Sequence, residues 1–121
     1  MPTFTAVPLS NRSVLIWRLR EPELQGSPVW QFPGEIIPYE ITVEGANAPS
    51  SPVVAVYKGR TDVTSTVMPT NTPTASGQVI STSALKLLTA NSDYAVMITA
   101  TIGGKTEQRK LVVRCADDKA V

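Results

Sequence analysis

The chain has 121 residues, 42% of them hydrophobic and 17% charged, with a formal net charge of +1. That length is enough for one domain with its own core, and that composition excludes disorder along the whole chain. So even a charge balance gives no long-range field toward nucleic acid or an anionic membrane, and neither is expected as a partner.

Thr3 to Val7 reads as a short strand ended by Pro8. Ser13 to Arg20 is a strong β candidate, with Leu15, Trp17 and Leu19 on one side and Val14, Ile16 and Arg18 on the other. Glu21 to Pro28 is loop, because two prolines and a glycine deny it regular pairing. Val29 to Phe32 is apolar and short. Ile37, Tyr39, Ile41 and Val43 then alternate with Pro38, Glu40, Thr42 and Glu44, so one face is buried and one wet. Pro38 cannot donate to a ladder, which places it at a margin or bulge. Val53 to Lys58 is the next strand, and Gly59-Arg60 turns it into a strand over Thr61 to Met68. Pro69 to Gly77 reads as a long flexible connection. Gln78 to Thr82 is a strand, and Ala84 to Leu88 allows a single helical turn.

Leu88 stands six residues before Tyr94, with turn formers between them and an alternating strand starting at the tyrosine. That is the layout of a tyrosine corner, in which the phenol bonds to upstream backbone where the chain crosses between two sheets. Asn91 takes the place usual for glycine there, since asparagine accepts left-handed φ better than most residues. Gly103-Gly104 makes a two-residue turn, so Ile102 faces Lys105, and Ile98, Val96 and Tyr94 face Arg109, Leu111 and Val113. Six or seven short strands without a convincing helix give an all-β fold. The expected form is an immunoglobulin/fibronectin-III-like antiparallel β-sandwich with an N-terminal extension. The expected divisions are 1–32 as an N-terminal arm or extra strands, 33–116 as the sandwich and 117–121 as a flexible tail.

The chain has no histidine and one cysteine. This removes the commonest general base and metal ligand, together with Cys–His and Ser–His–Asp chemistry. Glu35, Glu40, Glu44 and Asp117-Asp118 read as solvated surface, and Asp62 and Asp93 as turn residues bonding local backbone. No glycine-rich phosphate loop is present. No enzymatic activity, catalytic residue, metal or cofactor is expected. Cys115 reads as a small buried hydrophobe. A lone cysteine, a start without the pattern of a signal peptide and the lack of a membrane-length apolar run imply a protein made in the cytoplasm and not secreted. Arg12, Arg18, Arg20 and the Lys105, Arg109, Lys110 and Arg114 set are interspersed with acids and lack an aromatic ladder, so they read as strand solubility.

Trp17, Trp30 and Phe32 gather in the N-terminal segment. Either they cap the open end of the core, or with Arg18 and Arg20 they form an interface strand docking on another subunit. On the second reading, removal of residues 1–32 abolishes assembly and leaves a folded β domain.

Three stretches carry a resemblance: Phe32-Pro-Gly-Glu-Ile-Ile-Pro-Tyr-Glu-Ile41, Val56-Tyr-Lys-Gly-Arg-Thr-Asp-Val-Thr64 and Ala100-Thr-Ile-Gly-Gly-Lys-Thr-Glu-Gln-Arg-Lys-Leu111. Over about 32–114 the chain resembles small tailed-phage virion proteins of the fiber–tail adaptor and head-associated immunoglobulin-like types. The features involved fall on Gly34-Glu35, Tyr39-Glu-Ile41 and Thr101 to Arg109. The resemblance implies a non-enzymatic structural protein of a virion assembled in the host cytoplasm. It decorates a capsid or joins head and tail parts through contacts with other virion proteins and as a homo-oligomer. The alternative is a carbohydrate or cell-surface binding module, for which Trp17, Trp30 and Tyr57 are the aromatic material. A third reading, an accessory domain of a larger enzyme, is disfavoured by the Met1 start and the charged C-terminal tail.

Overall fold

A two-residue turn with both glycines at positive φ, 60° at Gly103 and 80° at Gly104, lets two long strands fold back on each other. These are β8 (Ser92–Ile102) and β9 (Lys105–Cys115), which pair from Ile102–Lys105 through Ser92–Cys115 in the register the sequence implies. Their apolar alternate positions point to one face, and the two strands form the centre of one sheet.

The computed structural model describes residues 15–18, 21–45 and 47–115. Before the hairpin come β1 (Ile16–Trp17), β2 (Val29–Gln31), β3 (Glu40–Val43), β4 (Ser50–Lys58), β5 (Thr61–Asp62), the short helix α1 (Thr64–Val67), β6 (Thr74–Ser76) and β7 (Val79–Ser81). One sheet has the order β1-β3-β7-β6 and the other β2-β9-β8-β4-β5. Facing each other, they enclose a core from both layers: Trp17, Ile41, Val43 and Ile80 on one side, Val54, Val56, Val96, Ile98, Leu111 and Val113 on the other. The architecture is an all-β sandwich.

The expectation of purely antiparallel sheets needs correction. β1 pairs with β3, and β2 with β9, in parallel, so both sheets are mixed. The cause is the N-terminal segment, which adds its first strand to the edge of one sheet, crosses through 21–28 and adds its second to the edge of the other. Within the expected division 1–32, the described residues contribute β1 and β2. Leu15, Trp17, Leu24, Val29 and Gln31 are all buried.

Three local expectations also change. The strand expected over Thr61 to Met68 stops after Asp62 and gives way to α1. There the Asp62 carboxylate accepts the Thr64 hydroxyl at 2.6 Å and the Thr64 N–H at 2.9 Å, which turns the chain. The connection Pro69 to Gly77 contains β6, paired with β7. Ala84 to Leu88 is not helical: Leu85 makes an antiparallel bridge with Ile37, and Leu87 has a φ of 61°. Arg20, the strand expected over Thr3 to Val7 and the tail 117–121 lie outside the described residues.

The open side of β4 is closed by side chains. The Val56 N–H donates to the Thr64 hydroxyl at 2.8 Å, and Asn71 Nδ2 donates to the Val54 carbonyl at 2.8 Å. Pro52, on the same strand, has no N–H to offer.

The hydroxyl and N–H of Thr64 bonded to Asp62 hold its carboxyl below its ordinary 3.8, because both bonds favour the charged form. A carboxyl depressed on folding contributes stability above its unfolded pKa, and the contribution is lost as pH falls through the folded value. Asp62→Ala is therefore expected to lower the thermal midpoint at neutral pH. The difference from wild type should close as a melting series goes well below pH 3.8.

Candidate interaction surface

β2 is three residues long and alternates inward and outward: Val29 and Gln31 are buried, Trp30 is 57% exposed, and Phe32 just beyond is 48% exposed. Gln31 fixes this strand. Its amide donates to the Leu85 carbonyl at 2.7 Å and the Glu35 carbonyl at 3.0 Å, and its carbonyl accepts the Tyr39 hydroxyl at 2.8 Å. One buried side chain thereby joins β2, the lead into β3 and the strand-like stretch at Leu85. Nothing in its sequence setting marks it, because a lone glutamine in a short apolar run reads as the wet face.

The Phe32–Glu35 turn is closed by the Glu35 N–H to the Phe32 carbonyl at 3.0 Å and by the Phe32 N–H to Glu35 Oε1 at 2.8 Å. Ile36 follows at 63% exposure, and across the Ile37–Leu85 bridge stands Leu87, also 63% exposed. A left-handed φ costs a leucine roughly 1–2 kcal/mol, and here it leaves the side chain in water. A shallow groove of about 250 Å³ runs beside Ile36, lined also by Pro69, Thr70, Ser83, Ala84 and Lys86. Phe32, Ile36 and Leu87 thus belong to one pole of the sandwich, the pole at which β2 and β9 end.

The tyrosine corner closes the same pole. Tyr94 is buried, its hydroxyl accepts the Thr89 N–H at 2.7 Å, Leu88, which precedes Thr89, is buried, and Asn91 has a φ of 61°. The Asn91 N–H also ties the corner to the Cys115 carbonyl at 2.8 Å. Tyr94→Phe leaves the Thr89 N–H without that acceptor. It is expected to lose about 1 kcal/mol, or roughly 4 °C in thermal midpoint, by calorimetry.

The other aromatic of the N-terminal segment lies elsewhere. Trp17 is fully buried, so it belongs to the core and offers no surface. The Arg109 guanidinium lies 5.1 Å from its ring centroid, within cation–π range. Arg109, expected among the solubilising basic residues, is itself buried. Its Nε and Nη2 donate to the Arg18 carbonyl at 3.1 and 2.9 Å, its Nη1 to the Gln108 carbonyl at 2.9 Å, and it pairs with Glu107 at 3.2 Å. A guanidinium of β9 in this way grips the backbone that follows β1, linking the two sheets. The signal was present: the hairpin register puts Arg109 opposite Ile98, on the apolar face. The Arg18 side chain, partly exposed, lies 3.9 Å from Glu44, an ion pair of the exposed kind that adds little. The structure thus brings Trp30 and Phe32 to the surface and separates them from Trp17 and Arg18.

Among the described residues, no group of three or more His, Cys, Asp or Glu side chains is placed to hold a metal ion. No described helix is long and apolar enough to cross a membrane. Cys115 is buried and forms no disulfide. No model of a known protein family matches the chain, and no curated protein matches it either.

Proposed function

We propose that this protein is a non-enzymatic structural subunit of a tailed-phage virion, decorating the capsid or connecting head and tail, and held by contacts with neighbouring virion proteins. The exposure of Phe32, Ile36 and Leu87 at one pole supports the contact part of this reading, because apolar side chains gathered at one end of a small domain suit a protein contact. The fold type proposed with it is immunoglobulin-like. If β3, β7 and β6 are lettered B, E and D, and β9, β8 and β4 are lettered G, F and C, these six antiparallel strands follow the immunoglobulin order, while β1, in the place of A, runs parallel to its neighbour and β2 and β5 are added at the margins of the other sheet. The bonded tyrosine at the start of β8 stands where that fold keeps its corner. The resemblance over 32–114 supplies the virion.

A glycan-binding module is the weaker reading. Trp17 is buried, so Trp30 and the half-buried Tyr57 are what remains of its aromatic platform.

Mass spectrometry of density-banded particles from cells carrying the gene in its native genome tests the proposal. The chain is expected at fixed stoichiometry to the major head or tail protein. Particles that lack it while the lysate contains it would overturn the virion assignment.

A further inference from the structure

We infer that the apolar pole is covered by residues 1–14 of a second copy of this chain, given and received reciprocally by two protomers. The inference rests on the reading of a protein that works through protein contacts, and it names the partner.

The first support is the point at which the chain enters the fold. The Thr42 N–H takes the Leu15 carbonyl at 3.0 Å, and β1 runs parallel to β3 with Ile16 beside Thr42 and Trp17 beside Val43. β3 begins just after Ile36 and Ile37, so the chain comes into β1 from the side of the apolar pole. The donor's point of departure and the surface it would cover therefore share one end of the molecule. Two copies meeting at that end can each cover the other about a two-fold axis, which closes the exchange. Departure and acceptor at opposite ends would instead give an open chain of subunits.

The second support is the material. Residues 1–14 include Phe4, Val7, Leu9 and Val14, and Arg12 is their only charged side chain. Extended, such a segment reaches at most about 46 Å, at ~3.3 Å per residue, which is enough to cross to a facing protomer. Phe4 and Val7 offer the size of side chain that would seat against Phe32, Ile36 and Leu87. Leu87 adds weight, since this leucine is 63% exposed and held at a φ of 61°, a conformation that L side chains rarely adopt.

Size-exclusion chromatography with light scattering on the full chain tests this. Wild type is expected at twice the 13.0 kDa chain mass. A donor variant, Phe4→Asp with Val7→Asp, and an acceptor variant, Phe32→Asp with Leu87→Asp, should each halve it while circular dichroism stays unchanged. The donor changes lie outside the described core, so that variant remains informative if the acceptor variant unfolds. Mixing the two variants should restore a dimer through the one intact contact, which coverage of the pole by its own chain cannot do. A monomeric wild type, a donor variant that stays dimeric, or a mixture of folded variants that stays monomeric overturns the inference. Particle incorporation, read separately by mass spectrometry, can succeed while this fails.

Discussion

A chain starting at residue 33 is expected to lose its cooperative unfolding transition. Leu15, Trp17, Leu24 and Val29 are buried in the shared core, and Gln31 bridges the two sheets. Burying an apolar side chain of this size contributes about 1.5–3 kcal/mol, so the four together approach the 5–15 kcal/mol that separates a typical domain from its unfolded state. Truncation also strips β9 of its parallel neighbour and the Leu24 N–H to Lys110 carbonyl bond at 2.9 Å. Calorimetry should show a broad, weak transition or none. The sequence expectation was the reverse, a folded remainder, and burial of these side chains is the reason for the change. A sharp transition in the truncated chain would mean that 33–115 carries a sufficient core alone.

Arg109 should produce the largest effect of a polar substitution. Arg109→Met keeps an unbranched apolar stem beside Trp17 but removes the donors to the Arg18 and Gln108 carbonyls and the charge above the indole. Hydrogen bonds from a charged group contribute about 1.5–3 kcal/mol and a desolvated cation–π contact about 2, offset by the relief of a buried charge. A net loss of about 2–4 kcal/mol is expected, seen as a lower urea midpoint with an unchanged slope. Arg109→Lys should recover only part of it, since an ammonium cannot reproduce the planar fork that grips one carbonyl with two nitrogens. A midpoint unchanged by Arg109→Met would mean that the two sheets are held without this link.

What could be read from the sequence follows from how far each signal reaches. The β8–β9 register was legible because a Gly-Gly turn and a strict period of two fix every pair between Ile102 and Tyr94. The corner was legible because its turn formers, its leucine and its tyrosine are local. Parallel pairing of β1 and β2 was not, since alternation shows which face is wet but not which strand lies alongside or in which direction. The helix α1 was hidden by threonine and valine, which favour strand; a side-chain bond from Asp62 overrode that preference. Gln31 was hidden because its bond to the Leu85 carbonyl spans 54 residues, and the Glu35 carbonyl reaches it only through the turn after Phe32. Trp30 and Phe32 were singled out by residue type and are exposed, whereas the exposure of Ile36 and Leu87 had no signal in the sequence, because exposure of an aliphatic side chain is a property of the finished fold.

The stoppered flank of β4 limits how these molecules can crowd together. With Thr64 and Asn71 occupying its hydrogen-bonding positions and Pro52 silent, a stray extended peptide finds no ladder to climb onto. Any lateral pairing between copies at high local density must therefore use the outer strands β1, β2, β5 or β6.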